Sequence, residues 1–350
     1  MNSSSSVESL LAESVDAFLA GHCDLRVVRR IEAGESADAL WQQVLESGYA
    51  DALVPEAQGG AGLSLSEVAS VVFACGRHVL PLPLAHTLAV RAGLAERGFE
   101  MPTGPITIAQ RATKGEGGAI EALAVPYAMT AQWVLVSGPQ TDLLLPLAAA
   151  QRTACAPGSL AGDVRWERLP ATALQWSRAD GTGADWQVLA AALTAAQIAG
   201  AMERICAMTI AYANERVQFG KPIGKLQAIQ HQISVLAEQL FVTRCAAQVG
   251  LSPIEGSSWR ADPLRGAVAK ARACEAVVTV AAIAHAVHGA IGVSEEYDLQ
   301  MLTRHLHEWR TQYGSEGYWN ARVGAALLAD DHSAARFIQQ RIAPVAMPQT

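Results

Sequence analysis

Two histidines in the last quarter of the chain stand at a spacing that suits metal binding. His285 and His288 are three residues apart in a helical pattern, so their imidazoles lie on one side of the helix. A zinc site needs three or four ligands, and no further ligand residues with suitable spacing accompany this pair. The neighbouring alanines and valines favour packed core histidines, and we predict no metal centre.

Nucleophilic chemistry has little support in the sequence. Ser315 has no arrangement of His and Asp beside it, which an activated serine needs. The six cysteines include no C-x-x-C pair, and several lie in apolar helical patterns. Buried reduced thiols are therefore predicted, and not disulfides or metal ligands, for Cys23, Cys75, Cys155, Cys206, Cys245 and Cys274.

The chain is organised around residues 190–232. Residues 190–213 are apolar on nearly every side, which is typical of a helix buried in a bundle. Gly220, Pro222 and Gly224 then break the pattern and predict a compact turn. A second helical pattern begins at Leu226.

Three segments carry a resemblance to a known family. Residues 216–227 read R-V-Q-F-G-K-P-I-G-K-L-Q, and residues 288–297 read H-G-A-I-G-V-S-E-E-Y with Arg304 after them. A third segment, V-P-E-A-Q-G-G-A-G-L-S, covers residues 54–64. Together and in this order they resemble the signatures of the acyl-CoA dehydrogenase family. The resemblance implies α,β-dehydrogenation of an acyl-CoA thioester, with FAD as cofactor and an electron-accepting flavoprotein as partner.

The same resemblance implies a fold that is mainly α with a small β insert. We expect an N-terminal helical domain over residues 1–105, a reduced middle β-domain over 106–180 and a C-terminal four-helix bundle over 181–350. The family's T-E-P-x-x-G-S-D-like stretch, which lies against the flavin ring, has no match in the middle region.

A catalytic base should occupy one of two places in this family, where a glutamate takes the α-proton. Aligned on the family pattern, these places fall at Gly314 and at or near Ala190, and neither supplies a carboxylate. Glu316 is the nearest alternative, two residues late, and proton abstraction tolerates little misplacement. Glu316 also fits a simpler role, as an acidic residue at a helix N-terminus.

The cofactor signature is better retained. In the family, these residues reach across a dimer interface to the ADP half of the neighbouring subunit's FAD. An arginine suits a pyrophosphate because its planar fork donates two charge-assisted hydrogen bonds. His285 stands where the family usually has glutamine, and Ala290 replaces the second glycine. By resemblance the cofactor-binding residues are Arg216, Gln218, Phe219, Gln227, His285, Gly289 and Gly292.

The residues that would bind the neighbouring subunit's FAD are retained, whereas the catalytic glutamate is missing. This combination predicts one subunit of a hetero-oligomer. It resembles the shorter, glutamate-lacking subunit of heteromeric steroid side-chain acyl-CoA dehydrogenases, paired with a homologous catalytic subunit. Two alternatives stay open. One is a self-sufficient homo-oligomer with Glu316 as base, and the other is a non-enzymatic scaffold subunit that binds no flavin.

Helical patterns cover 7–22, 38–48, 65–75 and 85–96, and again 226–250, 263–288 and 317–329. Between them, β-favouring runs occur at 106–109, 133–136, 143–146 and 164–166.

Composition excludes some partners. The net charge of -7 and the lack of clustered basic residues argue against nucleic acid. The longest apolar run, 276–284, is too short to span a bilayer, and the first residues lack a signal-peptide pattern. A soluble, cytoplasmic protein without a membrane span is expected.

Overall fold

A computed structural model describes residues 2–178 and 185–342 of the chain. It divides into two compact units. The first runs to Ala190 and takes in Pro253–Arg260, and the second comprises Ala191–Ser252 and the chain from Ala261 on. The predicted division at 105 and 180 stays a prediction, and residues 179–184 and 343–350 lie outside the described part.

The first unit begins with five helices whose ends follow local sequence signals. Asp24 caps the second helix by accepting hydrogen bonds from the amides of Arg26 and Val27. Gly48, in the left-handed region at φ 76°, follows the third helix. The helices are α1 (Asn2–His22), α2 (Leu25–Glu32), α3 (Asp38–Glu46), α4 (Ala69–Arg77) and α5 (Leu84–Glu96).

The middle of the chain forms two four-stranded sheets, with strand orders β1-β4-β5-β8 and β2-β3-β7-β6. Strands β1 and β4 pair in parallel and the other neighbours are antiparallel. Buried side chains of both sheets, among them Val134, Leu145, Val164 and Trp166, share one core cluster. The strands are β1 (Ile106–Ile108), β2 (Ala112–Lys114), β3 (Ile120–Val125), β4 (Trp133–Ser137), β5 (Thr141–Pro146), β6 (Gln151–Ala154), β7 (Gly162–Trp166) and β8 (Leu174–Ser177).

Asp142 is a buried polar centre of this unit. Its carboxylate is fully buried and accepts hydrogen bonds from the indole nitrogens of Trp176 at 3.1 Å and Trp186 at 2.9 Å. The Ser137 hydroxyl donates a third bond at 2.7 Å. Since a buried charge without partners is strongly unfavourable, this set of donors ties β5 to β8 and to the start of the next helix.

The remaining chain is helical. The elements are α6 (Trp186–Glu215), β9 (Val217–Gln218), β10 (Lys221–Pro222), α7 (Gln227–Gly250), α8 (Pro263–His288), α9 (Leu299–Thr311), α10 (Glu316–Leu328) and α11 (Ala334–Phe337). In the second unit α8 packs against α7, α9 and α10. Asp262 caps α8 and Pro263 occupies its first turn, as both residue types favour.

Among residues 2–178 and 185–342, two helices are long and apolar enough to cross a bilayer by length and composition alone, α6 and Pro263–Val293, although the longest uninterrupted apolar run is short. A buried core helix passes the same test, and 89% of the apolar window of α6 is buried. The share is 44% for Pro263–Val293. Length and composition are therefore weak evidence for a span.

The cysteine expectation is partly wrong. None of the six forms a disulfide, and Cys23, Cys75, Cys206 and Cys274 are buried. Cys155 and Cys245 are exposed. Cys155 follows β6, whose residues are all exposed, and Cys245 lies on an outward position of α7, so an apolar helical pattern did not guarantee burial.

Candidate functional site

A short hairpin presents the R-V-Q-F-G segment at the end of α6. Strands β9 and β10 pair with Gln218 opposite Lys221, and the amide of Ile223 donates to the Arg216 carbonyl at 2.8 Å. Phe219 and Gly220 form the tip with positive φ values of 55° and 75°. A phenylalanine with positive φ is strained, so the tip has an uncommon conformation for a side chain of this size.

The side chains of this hairpin are exposed. Phe219 has 87% of its surface exposed. Arg216, Gln218 and, at the start of α7, Gln227 are exposed as well, and none of the three side chains has a hydrogen-bond or ion-pair partner among the described residues. Exposed donors beside an exposed ring are available to a group outside the described chain.

A small apolar cluster holds the hairpin beside the end of α8. Ala213, Ile223 and Val287 are buried together. The Tyr212 hydroxyl also donates to the His288 carbonyl at 3.2 Å. The structure therefore brings the two predicted cofactor segments, 216–227 and 289–292, to one end of the second unit.

The glycines at the end of α8 differ in their surroundings. Gly289 has φ 64° and ψ -145°, and a Cβ built on it meets nothing within 4 Å. This backbone conformation strongly favours glycine. Gly292 is buried, and a Cβ there would lie 2.9 Å from the His288 Cβ and 3.1 Å from Leu299 Cδ2. Close packing explains Gly292, and open space at Gly289 suits the approach of a ligand.

His285 lies differently from the other predicted cofactor residues. Its side chain is half-buried, and Nε2 is 2.9 Å from the Thr303 hydroxyl on α9. The role predicted for His285 in cofactor binding stays a prediction, but its ring packs within the helical unit. No group of three or more potential metal ligands occurs in the described ranges.

Neither place expected to carry the base holds a carboxylate. Ala190 is fully buried within α6. At Gly314, φ is 110°, and a Cβ would lie 2.8 Å from both Trp319 Nε1 and Tyr318 Cδ1. Cβ atoms do not approach other atoms this closely, so a glutamate at 314 requires the turn to rearrange.

Glu316, the alternative base, is engaged elsewhere. It begins α10, and Arg310 donates to it from Nε to Oε2 at 3.2 Å and from Nη2 to Oε1. The hydrogen bond from Arg310 lowers the pKa of Glu316. A general base for an α-proton benefits from a raised pKa, so this environment favours a structural carboxylate.

Four aromatic residues near this turn divide between core and surface. Trp309, Tyr313 and Trp319 are at most 2% exposed, and Tyr318 is 41% exposed. The first three are core side chains of the second unit. Nearby, the fully buried Lys270 donates from Nζ to the carbonyls of Trp309 at 2.5 Å and Arg310 at 3.4 Å, at the end of α9.

The residues predicted from the sequence for this site include neither Tyr212 nor His288. Tyr212 stacks on the His288 ring with centroids 4.5 Å apart, and Tyr297 lies 5.1 Å from the same ring. Tyr212 comes four residues before Arg216, one helical turn earlier, and this spacing is the signal that was available.

The described residues fit a phosphate-bearing, ring-bearing cofactor such as FAD. A guanidinium and two carboxamides supply unpartnered donors, a glycine with open space permits close approach, and an exposed ring offers a stacking surface. All of them are exposed on the surface of this chain.

Comparison with known families agrees with this geometry. Residues 5–100 match the family described as "Acyl-CoA dehydrogenase, N-terminal domain", and residues 189–328 match "Acyl-CoA dehydrogenase, C-terminal domain". The chain is 32% identical over 316 residues to acyl-CoA dehydrogenase IpdE2 of Mycobacterium tuberculosis, covering 85% of this chain and 90% of that protein.

Two solved structures share the fold. One is the ChsE4-ChsE5 complex from Mycobacterium tuberculosis, with a TM-score of 0.79 and 21% identity, covering 93% of this chain and 98% of that chain. The other is a variant of the Tcur3481-Tcur3483 steroid ACAD, with a TM-score of 0.79 and 23% identity, covering 93% and 99%.

Proposed function

Since the chain belongs to the acyl-CoA dehydrogenase family, we propose that it is the companion subunit of a heteromeric enzyme. In this proposal the chain completes the FAD site of a homologous catalytic subunit and supplies no base. One observation carries the proposal: the cofactor donors are retained and exposed, whereas neither base position holds a carboxylate.

FAD is the cofactor of this family, and when bound it would supply the acceptor for the hydride that leaves the substrate β-carbon. This chain's own contribution is binding. The Arg216 fork is suited to two parallel hydrogen bonds to a pyrophosphate, and Gln218 and Gln227 add neutral donors. Phe219, already exposed, provides a face for stacking.

The proton transfer at the substrate α-carbon must come from elsewhere. Gly314 and Ala190 carry no titratable group, and Glu316 is held as an ion pair with a lowered pKa. The base is therefore assigned to the catalytic partner. Substrate oxidation then requires the assembled pair, which passes electrons to an electron-accepting flavoprotein.

For the substrate we propose an acyl-CoA thioester, with a steroid side chain as the acyl group. Support for this acyl group comes from the Tcur3481-Tcur3483 steroid ACAD, which shares the fold. The ChsE4-ChsE5 complex, which also shares the fold, supports the heteromeric role, and the relation to the acyl-CoA dehydrogenase IpdE2 supports an acyl-CoA thioester as substrate.

The two alternatives make different demands on the molecule. A self-sufficient enzyme needs Glu316 released from Arg310, and their two hydrogen bonds disfavour this. A scaffold subunit that binds no flavin does not explain why the donors of the hairpin are exposed and unpartnered among the described residues. The companion role accounts for both observations.

The test is replacement of the arginine in the co-purified pair. Arg216→Ala removes a charge-assisted bidentate contact, for which about 1.5–3 kcal/mol is typical, so the FAD dissociation constant should rise roughly 10- to 150-fold. The FAD dissociation constant of Arg216→Lys should lie between those of the wild type and Arg216→Ala, because lysine retains the charge without the planar guanidinium. Lys225→Ala, an exposed change nearby, is the matched control.

Flavin content after gel filtration, read as absorbance after denaturation, reports the result. Equal flavin in wild type and Arg216→Ala, with the pair intact, would overturn the assignment of this hairpin to the cofactor.

A further inference from the structure

Three rings contact one another beside the hairpin and the glycine turn. The His288 ring, 3% exposed, stacks on Tyr212 with centroids 4.5 Å apart and planes at 25°, and the tilted Tyr297 ring has its centroid 5.1 Å from His288 and 6.1 Å from Tyr212. Tyr212 belongs to the last turn of α6, before Arg216, and His288 immediately precedes Gly289. This ring cluster therefore joins the two cofactor segments.

Hydrogen bonds fix the tautomer of His288. Nδ1 is 2.8 Å from the Ala284 carbonyl, which can only accept, so Nδ1 carries the proton. Nε2 then presents a lone pair. Nε2 is buried and has no hydrogen-bond partner in the described part of the chain.

The neighbouring His285 has a similar arrangement. The Thr303 hydroxyl is 2.9 Å from His285 Nε2 and 3.2 Å from the Leu299 carbonyl, and its one proton can go to either. Nδ1 of the half-buried His285 is itself buried and has no partner among the described residues, and a Cβ at Gly292 would lie 3.3 Å from it. One turn of α8 thus carries two imidazoles against the glycine turn, each with one buried nitrogen that no described residue satisfies.

The charged groups near the two rings form no ion pair with them. Glu215 of α6 and Asp298 act electrostatically on Tyr297, and His307 of α9 acts on His285. Neither His285 nor His288 forms an ion pair with any described residue. In the charged form of each ring, Nε2 of His288 and Nδ1 of His285 would be buried N–H groups without a partner among the described residues.

We propose that His288 is a positioning residue for the glycine turn 289–292, and that this turn opens on acidification because the buried nitrogens of His288 and His285 are hydrated in the charged form only when it does. The proposal rests on the proposed function, in which this turn is part of the cofactor-binding site. Acidification should then lower the affinity for flavin while the Arg216 side chain keeps its charge and position.

The direction of the pH effect follows from burial. Burial lowers the pKa of His288, and burial followed by the charge of His307 lowers the pKa of His285. In the open turn both rings return to an ordinary pKa near 6.5. The open state therefore binds more protons below about pH 6.5, and the closed turn loses stability as pH falls from there towards the lowered values.

Hydrogen exchange of the full, flavin-free chain tests this directly. The probe is the protection of amides 289–294, corrected for the intrinsic exchange rate at each pH. Gly289 donates to the His285 carbonyl and Ser294 to the Ile291 carbonyl, so these amides are protected only in the closed turn. Each proton taken up on opening should lower protection about tenfold per pH unit, hence up to about a hundredfold for two.

Variants separate the histidines from general acid sensitivity. His288→Phe retains a ring against both tyrosines and removes the titration, so the pH dependence of protection should fall by about one decade per pH unit. His285→Gln should lower the pH dependence of protection by a similar amount. His231→Gln, at an exposed position of α7, should leave the slope unchanged.

Protection of 289–294 that stays flat from pH 7.5 to 5.0 in the wild type would overturn the proposal, and this result needs no variant. An unchanged slope in His288→Phe and in His288→Gln would also overturn it. Because the experiment uses no flavin, a failure of Arg216→Ala to release FAD would refute the proposed function and leave this result standing.

Discussion

Replacement of Gly314 by alanine tests the claim that the base position is sealed. The new Cβ would lie 2.8 Å from Trp319 Nε1 and from Tyr318 Cδ1, and the residue would keep a φ of 110°. Trp319 is fully buried and cannot move without loss of packing.

Two effects add at this position. Forcing a methyl group into a packed site costs about 1–3 kcal/mol, and placing an L-residue at positive φ costs roughly 1–2 kcal/mol. The free energy of unfolding should therefore fall by about 2–5 kcal/mol. For a cooperative unit of this size the melting temperature should fall by roughly 4–20 °C.

The assay is thermal unfolding by circular dichroism, with Gly324→Ala as the matched control. Gly324 lies in α10 with nothing within 4 Å of its Cβ position, so alanine there should be neutral or raise stability by up to about 1 kcal/mol. Gly314→Glu should be less stable still and should not give the lone chain dehydrogenase activity. A Gly314→Ala protein that melts like wild type, or an active lone Gly314→Glu, would refute the reasoning.

Further predictions concern buried and paired charges. Glu316→Gln should leave turnover of the two assembled subunits within about twofold, and a large loss of turnover would restore Glu316 as base. Arg310 lowers the pKa of Glu316, so the stability that the Arg310–Glu316 ion pair adds above about pH 4.5 should be lost as pH falls through the lowered pKa. Asp142→Ala should cost about 3–5 kcal/mol in urea unfolding, because two buried indole N–H groups lose their acceptor, and a cost below about 1 kcal/mol would contradict this. Burial lowers the pKa of Lys270, so the wild type should gain stability relative to Lys270→Met as pH rises towards 10.5; parallel profiles would contradict this.

Helix patterns with strong caps could be predicted well from the sequence. The helix expected over 263–288 is α8 with the same bounds, since Asp262 and Pro263 mark its start. The helix predicted from residue 65 begins as regular α-helix only at Ala69. Ser64 and Glu67 still form the reciprocal hydrogen bonds of a capping box, but the first turn after them is irregular.

Several elements had no readable signal. Strand β6 exposes all four of its residues, so no alternation of buried and exposed positions marks it. Helices α2, with 8 residues, and α9, with many charged or polar residues, were also missed. The middle region therefore has eight strands, whereas the sequence indicated four runs.

The candidate site was predicted from the resemblance to the family, whereas the contacts that support it were not. The resemblance gave Arg216 and Gly289 their roles, and cofactor binding by these residues stays a prediction. The ring cluster of Tyr212, His288 and Tyr297 depends on contacts between residues up to 85 positions apart, and the lack of space at Gly314 depends on Trp319 packing. Such distances are decided by tertiary structure.

The most direct test of the central claim is the flavin content and acyl-CoA oxidation of this chain purified alone, set beside the same chain co-expressed with a longer homologous dehydrogenase subunit. The companion role predicts little flavin and no turnover in the lone chain, with stoichiometric FAD and turnover in the pair. Stoichiometric FAD and turnover in the lone chain would contradict it and would return the search for a base to Glu316.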